Sequence, residues 1–281
     1  MSGQIELKQL NRHSSLKEKA LAFLSPHENV CCRLYAMTEQ NPQDIFCLID
    51  SGYTIQGVLS YTKGQLVLPC LPIESQEIKD ALQVFFYNHP VFCLSGKVEF
   101  CRIAREAIIK TATQVPGEER LYDFFECREA PEYTDIPQVT FFHCTKKDAE
   151  SMIGLQLEYI KEEVLPKDME LNPASERLNL DRHIKEGNVW ALKDPDGKIC
   201  AKAQINASSP HYQLIGGVCT DRAMRRKGYA SLLMYHLVKN ALLSHKASVL
   251  FADRKNSAAQ VLYRSLGFKE ISGYSISYFK K

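Results

Sequence analysis

Several function classes are closed to this chain by what it lacks. No apolar run approaches the ~20 residues needed to cross a bilayer. Glu6, Lys8 and Arg12 stand where a secretory signal would need an unbroken apolar core. Neither membrane insertion nor export is expected, and the cytoplasm is the expected compartment. Charge of one sign is lacking too: 35 basic residues against 33 acidic ones leave a net +2, too balanced for a protein that binds nucleic acid by releasing counterions. The ten cysteines contain no CxxC pair and sit in apolar stretches such as FCLID and KICAKA, which reads as free buried thiols in a reducing compartment. Nothing in the sequence asks for a metal. The sequon Asn206-Ala207-Ser208 has no meaning in such a compartment.

What is there is an ordinary globular composition, 45% apolar and 24% charged, in a 281-residue chain long enough for about two domains. The polar segment CREAPEYTDIP, 127–137, holds two prolines and reads as a linker, so the expected domains are 1–135 and 136–281. In the second, 139–144 predicts a strand, and 148–164 predicts a helix because Ile153, Leu157, Ile160 and Val164 recur at helical spacing. A helix over 175–185 and strands over 188–194, 198–207 and 212–220 follow, the first two strands joined by the turn Pro195-Asp196-Gly197. A helix over 228–245, a strand over 248–253 and a helix over 257–266 ended by Gly267 come next, with terminal strand material and room for a final hairpin. The order is βααβββαβαβ.

The first half repeats most of that order. Helices are expected near 17–24 and 27–35, strands within 45–50, 53–61 and 65–71, a helix over 77–87, a strand over 91–94, a helix over 98–109 and a strand over 121–126. The expectation is an α/β (α+β) protein with a mixed, mostly antiparallel central sheet flanked by helices, one such fold used twice in tandem.

The stretch VCTDRAMRRKGYASLL, 218–233, crowds Arg222, Arg225, Arg226 and Lys227 up to Gly228 where an apolar helix begins. Backbone N–H groups at a helix start lack intrahelical partners and sit at the positive end of the helix dipole, so an anion is stabilised there. Gly228 lets the backbone approach closely, small Ala230 lets the helix pack on a sheet, and the basic residues add charge-assisted bonds. A diphosphate is the natural guest. The Walker pattern is absent, since Gly228 is followed by Tyr229, and the Rossmann spacing is absent, since Gly216-Gly217 lies inside a strand.

Arg225-x-x-Gly228-x-Ala230 resembles the Gln/Arg-x-x-Gly-x-Gly/Ala signature of the GNAT superfamily of N-acetyltransferases. A second stretch, Asn256 to Phe268, resembles that family's other signature, an asparagine followed at fixed offsets by alanine, Leu262-Tyr263 and Gly267-Phe268. The element order from residue 139 onward is similar as well. The resemblance implies an acetyl-CoA-dependent N-acetyltransferase working by direct transfer in a ternary complex. By the same resemblance, Val218, Cys219 and Thr220 pair with the pantetheine arm in a splay between the fourth and fifth strands. Arg225 and the backbone of Arg226, Lys227, Gly228, Tyr229, Ala230 and Ser231 hold the pyrophosphate, and Asn256 bonds the pantetheine or lies beside it. Tyr263 is the implied general acid, since a phenol of pKa ~10 can protonate or hydrogen-bond a leaving thiolate of pKa ~8.5. A backbone N–H near Val218 would meet the thioester oxygen.

The sequence departs from the family where a glutamate on the fourth strand often takes the acceptor's proton: it reads Tyr212-Gln213-Leu214-Ile215. His211, Asp221, Glu158 and Glu162 are the remaining candidate bases, with a hairpin residue, a loop partner and a solvated helix face as their plain alternatives. Cys219 beside the thioester is read as a packed core residue rather than an acyl carrier, and Trp190 as strand packing. The matching loop of the first half, LPCLPIESQEIKD at 68–80, has no glycine, two prolines and three acidic residues, which would repel a pyrophosphate. The first domain is therefore expected to be a degenerate copy that packs against the second or walls the acceptor site. The expected acceptor is a small-molecule amine. A non-catalytic acyl-CoA sensor and an enzyme using another acyl-CoA donor are the alternatives.

Overall fold

The structure, a computed structural model, describes residues 5–13, 15–132, 136–166 and 169–280. It divides into two compact units, Met1–Phe124 together with Ile271–Lys281, and Phe125–Glu270. The expected linker boundary near 135 falls outside the described residues. The division lies instead at 124/125, inside a long strand, because a strand's membership is set by the sheet it joins and not by the polarity of the loop after it.

In the first unit, β1 (Glu6–Gln9), α1 (Leu16–Leu24) and α2 (Cys32–Gln40) precede β2 (Ile45–Ile49), β3 (Ile55–Tyr61) and β4 (Leu66–Cys70). Then come α3 (Gln76–Asn88), β5 (Cys93–Lys97), α4 (Val98–Lys110) and β6 (Val115–Cys127), which runs across the division. Strands β1 to β4 are antiparallel neighbours in order. β4 then pairs in parallel with β5 only at Leu66↔Cys93 and Val67↔Leu94.

The second unit has the same plan. It contains β7 (Thr140–His143), α5 (Ala149–Tyr159) continuing into a π-helical turn (Ile160–Val164), α6 (Pro173–Lys185), β8 (Val189–Lys193), β9 (Ile199–Ser208) and β10 (Tyr212–Thr220). α7 (Tyr229–Leu243), β11 (Ala247–Asp253) and α8 (Ser257–Ser265) complete it. Strands β7 to β10 are antiparallel, and β10 pairs in parallel with β11 at three positions only, Tyr212↔Ala247, Gln213↔Ser248 and Leu214↔Val249. The repeated element order expected from sequence is present. Each unit is a mixed, mostly antiparallel sheet flanked by helices.

Strand periodicity sorts the second unit's core onto two faces. Leu192, Ala201, Ala203 and Ile215 pack with Leu233 and Leu237 of α7 and Tyr263 of α8. On the other face, Ala191, Ile199 and Cys219 pack with Met152 and Leu155 of α5 and Leu180 and Ile184 of α6. Among the described residues, no helix is long and apolar enough to cross a membrane.

The last strand, β12 (Lys269–Lys280), is the terminal strand material expected from sequence, one continuous strand without a final hairpin. It pairs antiparallel with β5 from Tyr274↔Lys97 to Tyr278↔Cys93, so most of it belongs to the first unit. Phe279 is 3% exposed within that unit's core, and the Tyr274 hydroxyl meets Ser95 Oγ at 3.0 Å. Phe279→Ala should therefore cost about 3–5 kcal/mol. Denaturant unfolding measures the loss, and hydrogen exchange should show it in β5, far away in sequence.

Candidate active site

The second unit's site starts from two glycines. A Cβ on Gly216 would stand 2.1 Å from Asn206 Nδ2, and one on Gly217 would stand 3.0 Å from Gln204. Gln204 Nε2 donates to Asn206 Oδ1 at 2.7 Å, so a hydrogen-bonded amide pair fills the space that side chains on β10 would need. Gly217 takes a positive φ of 60°. The ladder with β9 passes from Gly216↔Gln204 to Cys219↔Lys202, so Gly217 and Val218 together oppose Ala203. That is a two-against-one bulge, and neither of its residues has a register partner. β10 has already left β11 after Leu214. Val218, Cys219 and Thr220 thus lie on the part of β10 that borders this gap.

After β10, Asp221 Oδ1 accepts from Ala223 N at 2.9 Å and starts a short turn, Arg222–Met224. Arg226 (φ 63°) and Gly228 (φ 84°) both sit in the left-handed region just before α7. Gly228, at the N-cap, has no side chain to cap this helix. Its first intrahelical bond is Leu232 N to Gly228 O, 3.0 Å, which leaves the amides of Tyr229, Ala230 and Ser231 without intrahelical acceptors. Tyr229 contributes only its backbone there, because its ring is buried in the core. Arg225, Arg226, Lys227 and Gly228 are exposed.

The four basic residues divide by role. Arg222 donates to Glu162 at 2.9 and 2.6 Å, and Arg225 donates to the same carboxylate at 2.8 Å and to Thr220 O at 3.1 Å. Arg225 thus fixes the loop's shape. Lys227 Nζ has only Met224 Sδ, at 3.4 Å, and Arg226 has no side-chain partner among the described residues. Uncapped amides, a close-approaching glycine and two uncommitted cations can hold an anion such as a diphosphate.

α8 carries the other signature. Asn256 Oδ1 accepts from Ala259 N at 3.0 Å and caps the helix, while its Nδ2 donates to Glu163 Oε1 at 3.0 Å. The helix ends with Phe268 N bonded to Tyr263 O (3.0 Å), Gly267 N to Arg264 O (3.1 Å) and Gly267 at φ 80°. This end packs Phe268 against Tyr263, ring centroids 5.8 Å apart. Tyr263 is buried, and its hydroxyl has no hydrogen-bond partner among the described residues. Burial, with Tyr159 and Glu163 nearby, pushes its phenol pKa up.

Glu163 escaped the sequence reading. The stretch 148–164 looks like one regular helix, which leaves Glu162 and Glu163 together on a solvated face. The π-helical turn instead sends Glu162 to the arginines before α7 and Glu163 to the head of α8. The Arg222 guanidinium, with Arg225, holds the Glu162 carboxyl below the usual carboxylate range, whereas burial pushes Glu163 up.

The candidate bases chosen from sequence fare less well. Asp221 caps its turn and pairs with Lys198 at 2.8 Å, a bond that keeps it ionised and occupied. His211 is exposed at the start of β10, seven residues before Val218, or about 20 Å along a strand. Glu158 borders a polar cavity of about 420 Å³ shared with Asp148, Lys193, Lys198 and Asp221. Both lysines there are already ion-paired. Burial pushes the Cys219 thiol up to about 11, which disfavours the thiolate an acyl-cysteine would need. All ten cysteines are free thiols. Trp190 stacks on Phe141 at 5.0 Å, as strand packing would have it. Among the described residues, no group of three or more His, Cys, Asp or Glu could hold a metal ion.

The first unit closes the matching positions. The ring of Pro69 lies 3.3 Å from where a Gly96 Cβ would be, and the loop after β4 buries Leu71 to 1% exposure. α3 is capped by Ser75 Oγ, which accepts from Ile78 N at 3.3 Å, and Glu74 just before it is gripped by Lys79 and Arg102. Among the described residues, the helix start that follows β4 is therefore capped, and Pro69 stands close against β5.

Residues 185–270 match the family described as acetyltransferase (GNAT) domain. The chain is 32% identical over 89 residues to a UPF0039 protein of Schizosaccharomyces pombe, covering 32% of this chain and 59% of that protein. It is 28% identical over 196 residues to GCN5-related N-acetyltransferase 6, chloroplastic, of Arabidopsis thaliana, covering 64% of this chain and 66% of the relative. It therefore spans under two thirds of each relative's length. Among solved structures, a tandem GNAT protein from the clavulanic acid biosynthesis pathway superposes with a TM-score of 0.61 at 9% identity, over 98% of both chains.

The two helix starts should respond differently to mutation. Ser75→Ala should cost about 1 kcal/mol by removing a cap. Gly228→Ala should cost about 1–2 kcal/mol by forcing a Cβ into the left-handed region. Denaturant titration of both variants tests this.

Proposed function

We propose that this chain, which carries a GNAT acetyltransferase domain over residues 185–270, is an acetyl-CoA-dependent N-acetyltransferase that transfers directly to an amine, with a small molecule as acceptor. One observation carries the reading: a bulged strand leaves its neighbour and leads into an uncapped helix start, all within one unit. The first-turn amides of α7, with Arg226 and Lys227, hold the pyrophosphate of the donor. Val218, Cys219 and Thr220 border the gap that takes its acyl arm, and Asn256 stands at the head of α8 beside it.

Two protons leave the nitrogen as an ammonium acceptor becomes an amide: a base takes one before attack, and the loss of the second is balanced by the proton that reaches the departing sulfur. Tyr263 serves the sulfur. Its raised pKa keeps the phenol protonated across neutral pH, which makes it a hydrogen-bond donor to developing thiolate more than a strong acid. Glu163 serves the nitrogen. Burial makes it a better proton acceptor than an exposed glutamate, and Asn256 holds it in place. This role replaces the missing glutamate of the fourth strand.

An amine library incubated with acetyl-CoA and read by product mass tests the reading. Tyr263→Phe should lower kcat about 100-fold while leaving donor affinity unchanged. Donor binding with no product from any amine would favour an acyl-CoA sensor instead. For Glu163 the sign follows from its role as a base: activity is lost as pH falls through its raised pKa. Glu163→Gln should therefore lower kcat/KM about 100-fold above that pH and progressively less below it. A loss that does not depend on pH would remove Glu163 from the proton path.

A further inference from the structure

Lys202 is 0% exposed, and lysine is almost never fully buried without a partner of opposite charge. Among the described residues no carboxylate pairs with it. Its ammonium donates to Gly217 O at 3.2 Å and lies 5.2 Å from the centre of the Tyr159 ring. Lys202 projects from β9 between Ala201 and Ala203, which pack on the α7 face, so it points to the α5 side. An apolar residue of similar size would be cheaper to bury. The lysine needs a reason, and its acceptor is the carbonyl of a bulge residue.

Resting on the acetyl-transfer reading above, we infer that Lys202 is a positioning residue that fixes and polarises the Gly217–Val218 peptide so that Val218 N–H serves as hydrogen-bond donor to the thioester oxygen. Gly217 C=O and Val218 N–H belong to one trans peptide, in which the two groups point in opposite directions. With the carbonyl turned to Lys202, the N–H turns away from it. Val218 has no register partner in the bulge, so its N–H is not committed to the β9 ladder. A positive charge at the oxygen end of a peptide draws electron density from the nitrogen and strengthens its N–H as a donor. Gly217 at φ 60° is what lets the peptide take this orientation. The groups facing the ammonium are Tyr159 of α5, Glu176 of α6, Cys219 of β10 and Cys144 after β7. Burial lowers the Lys202 pKa to about 8, so the charge titrates within an accessible pH range.

The test compares wild type with Lys202→Met and Lys202→Gln, using acetyl-CoA and an amine that wild type acetylates. Lys202→Met removes the charge at similar volume, and replacing a buried charge by an apolar residue tends to preserve the fold. Its kcat should fall roughly 10- to 100-fold, somewhat less than removal of a whole oxyanion donor, with KM for acetyl-CoA unchanged. Lys202→Gln keeps a neutral N–H donor and should fall between the two; it carries the same test if the methionine variant does not fold. The ratio of wild-type to variant kcat should be largest below pH 7 and shrink as pH rises through about 8, where wild type loses the charge. Titration of the acceptor cancels in that ratio. Absence of wild-type turnover overturns the acetyl-transfer reading and this inference together. Wild-type turnover with an unchanged variant kcat, a loss wholly in KM, or a ratio flat with pH overturns this inference alone.

Discussion

A steric constraint at Gly216-Gly217 stands beneath the rest of the candidate site. The hydrogen-bonded amides of Gln204 and Asn206 occupy the volume where β10 would carry side chains, so a side chain at Gly216 would displace the Asn206 amide, and at Gly217 the positive φ favours glycine. Freed of Cβ atoms, the backbone takes a positive φ at Gly217 and forms the bulge. The bulge lies beyond the last pairing with β11, where the gap is bordered by backbone outside the ladder. The same strand ends three residues later at Thr220, whose carbonyl receives Arg225 and so shapes the approach to α7. Bulge, gap and helix start form one continuous stretch of chain.

The π-helical turn ties that stretch to α8. Successive glutamates leave it in different directions, Glu162 to Arg222 and Arg225, Glu163 to Asn256. A regular helix would set the two side chains about 100° apart on one exposed surface. The extra residue in the turn lets one segment of α5 brace both signature stretches. The first unit shows what the plan becomes without these features. A proline and a leucine fill the space beside β4, and a serine satisfies the start of α3.

Much of this was legible in the sequence because it is encoded locally. β10 occupies 212–220 as expected, since an apolar strand bounded by His211 and Asp221 leaves little choice, and Gly267 ends α8 through a backbone conformation that glycine favours. What escaped is what partners decide. β1, only Glu6–Gln9, has too little apolar pattern to stand out, and it is a strand because β2 offers it a ladder. The partner of β12 lies far away in sequence, and no local signal names β5. Lys202 occupies an alternating position that reads as a solvated face. It is buried because helices cover both sides of β9, which period-two patterning cannot reveal. The basic residues before Gly228 looked like equal phosphate ligands, yet Arg222 and Arg225 are engaged by Glu162, a residue some sixty positions earlier.

The central claim is that one donor site exists per chain, built in the second unit at the start of α7, while the first unit has none. Isothermal titration of the full-length protein with acetyl-CoA tests it most directly. One equivalent should bind to each chain, and replacing Arg226 and Lys227 together by alanine should weaken that single event without creating another. Two equivalents per chain, or one equivalent insensitive to those substitutions, would contradict the account.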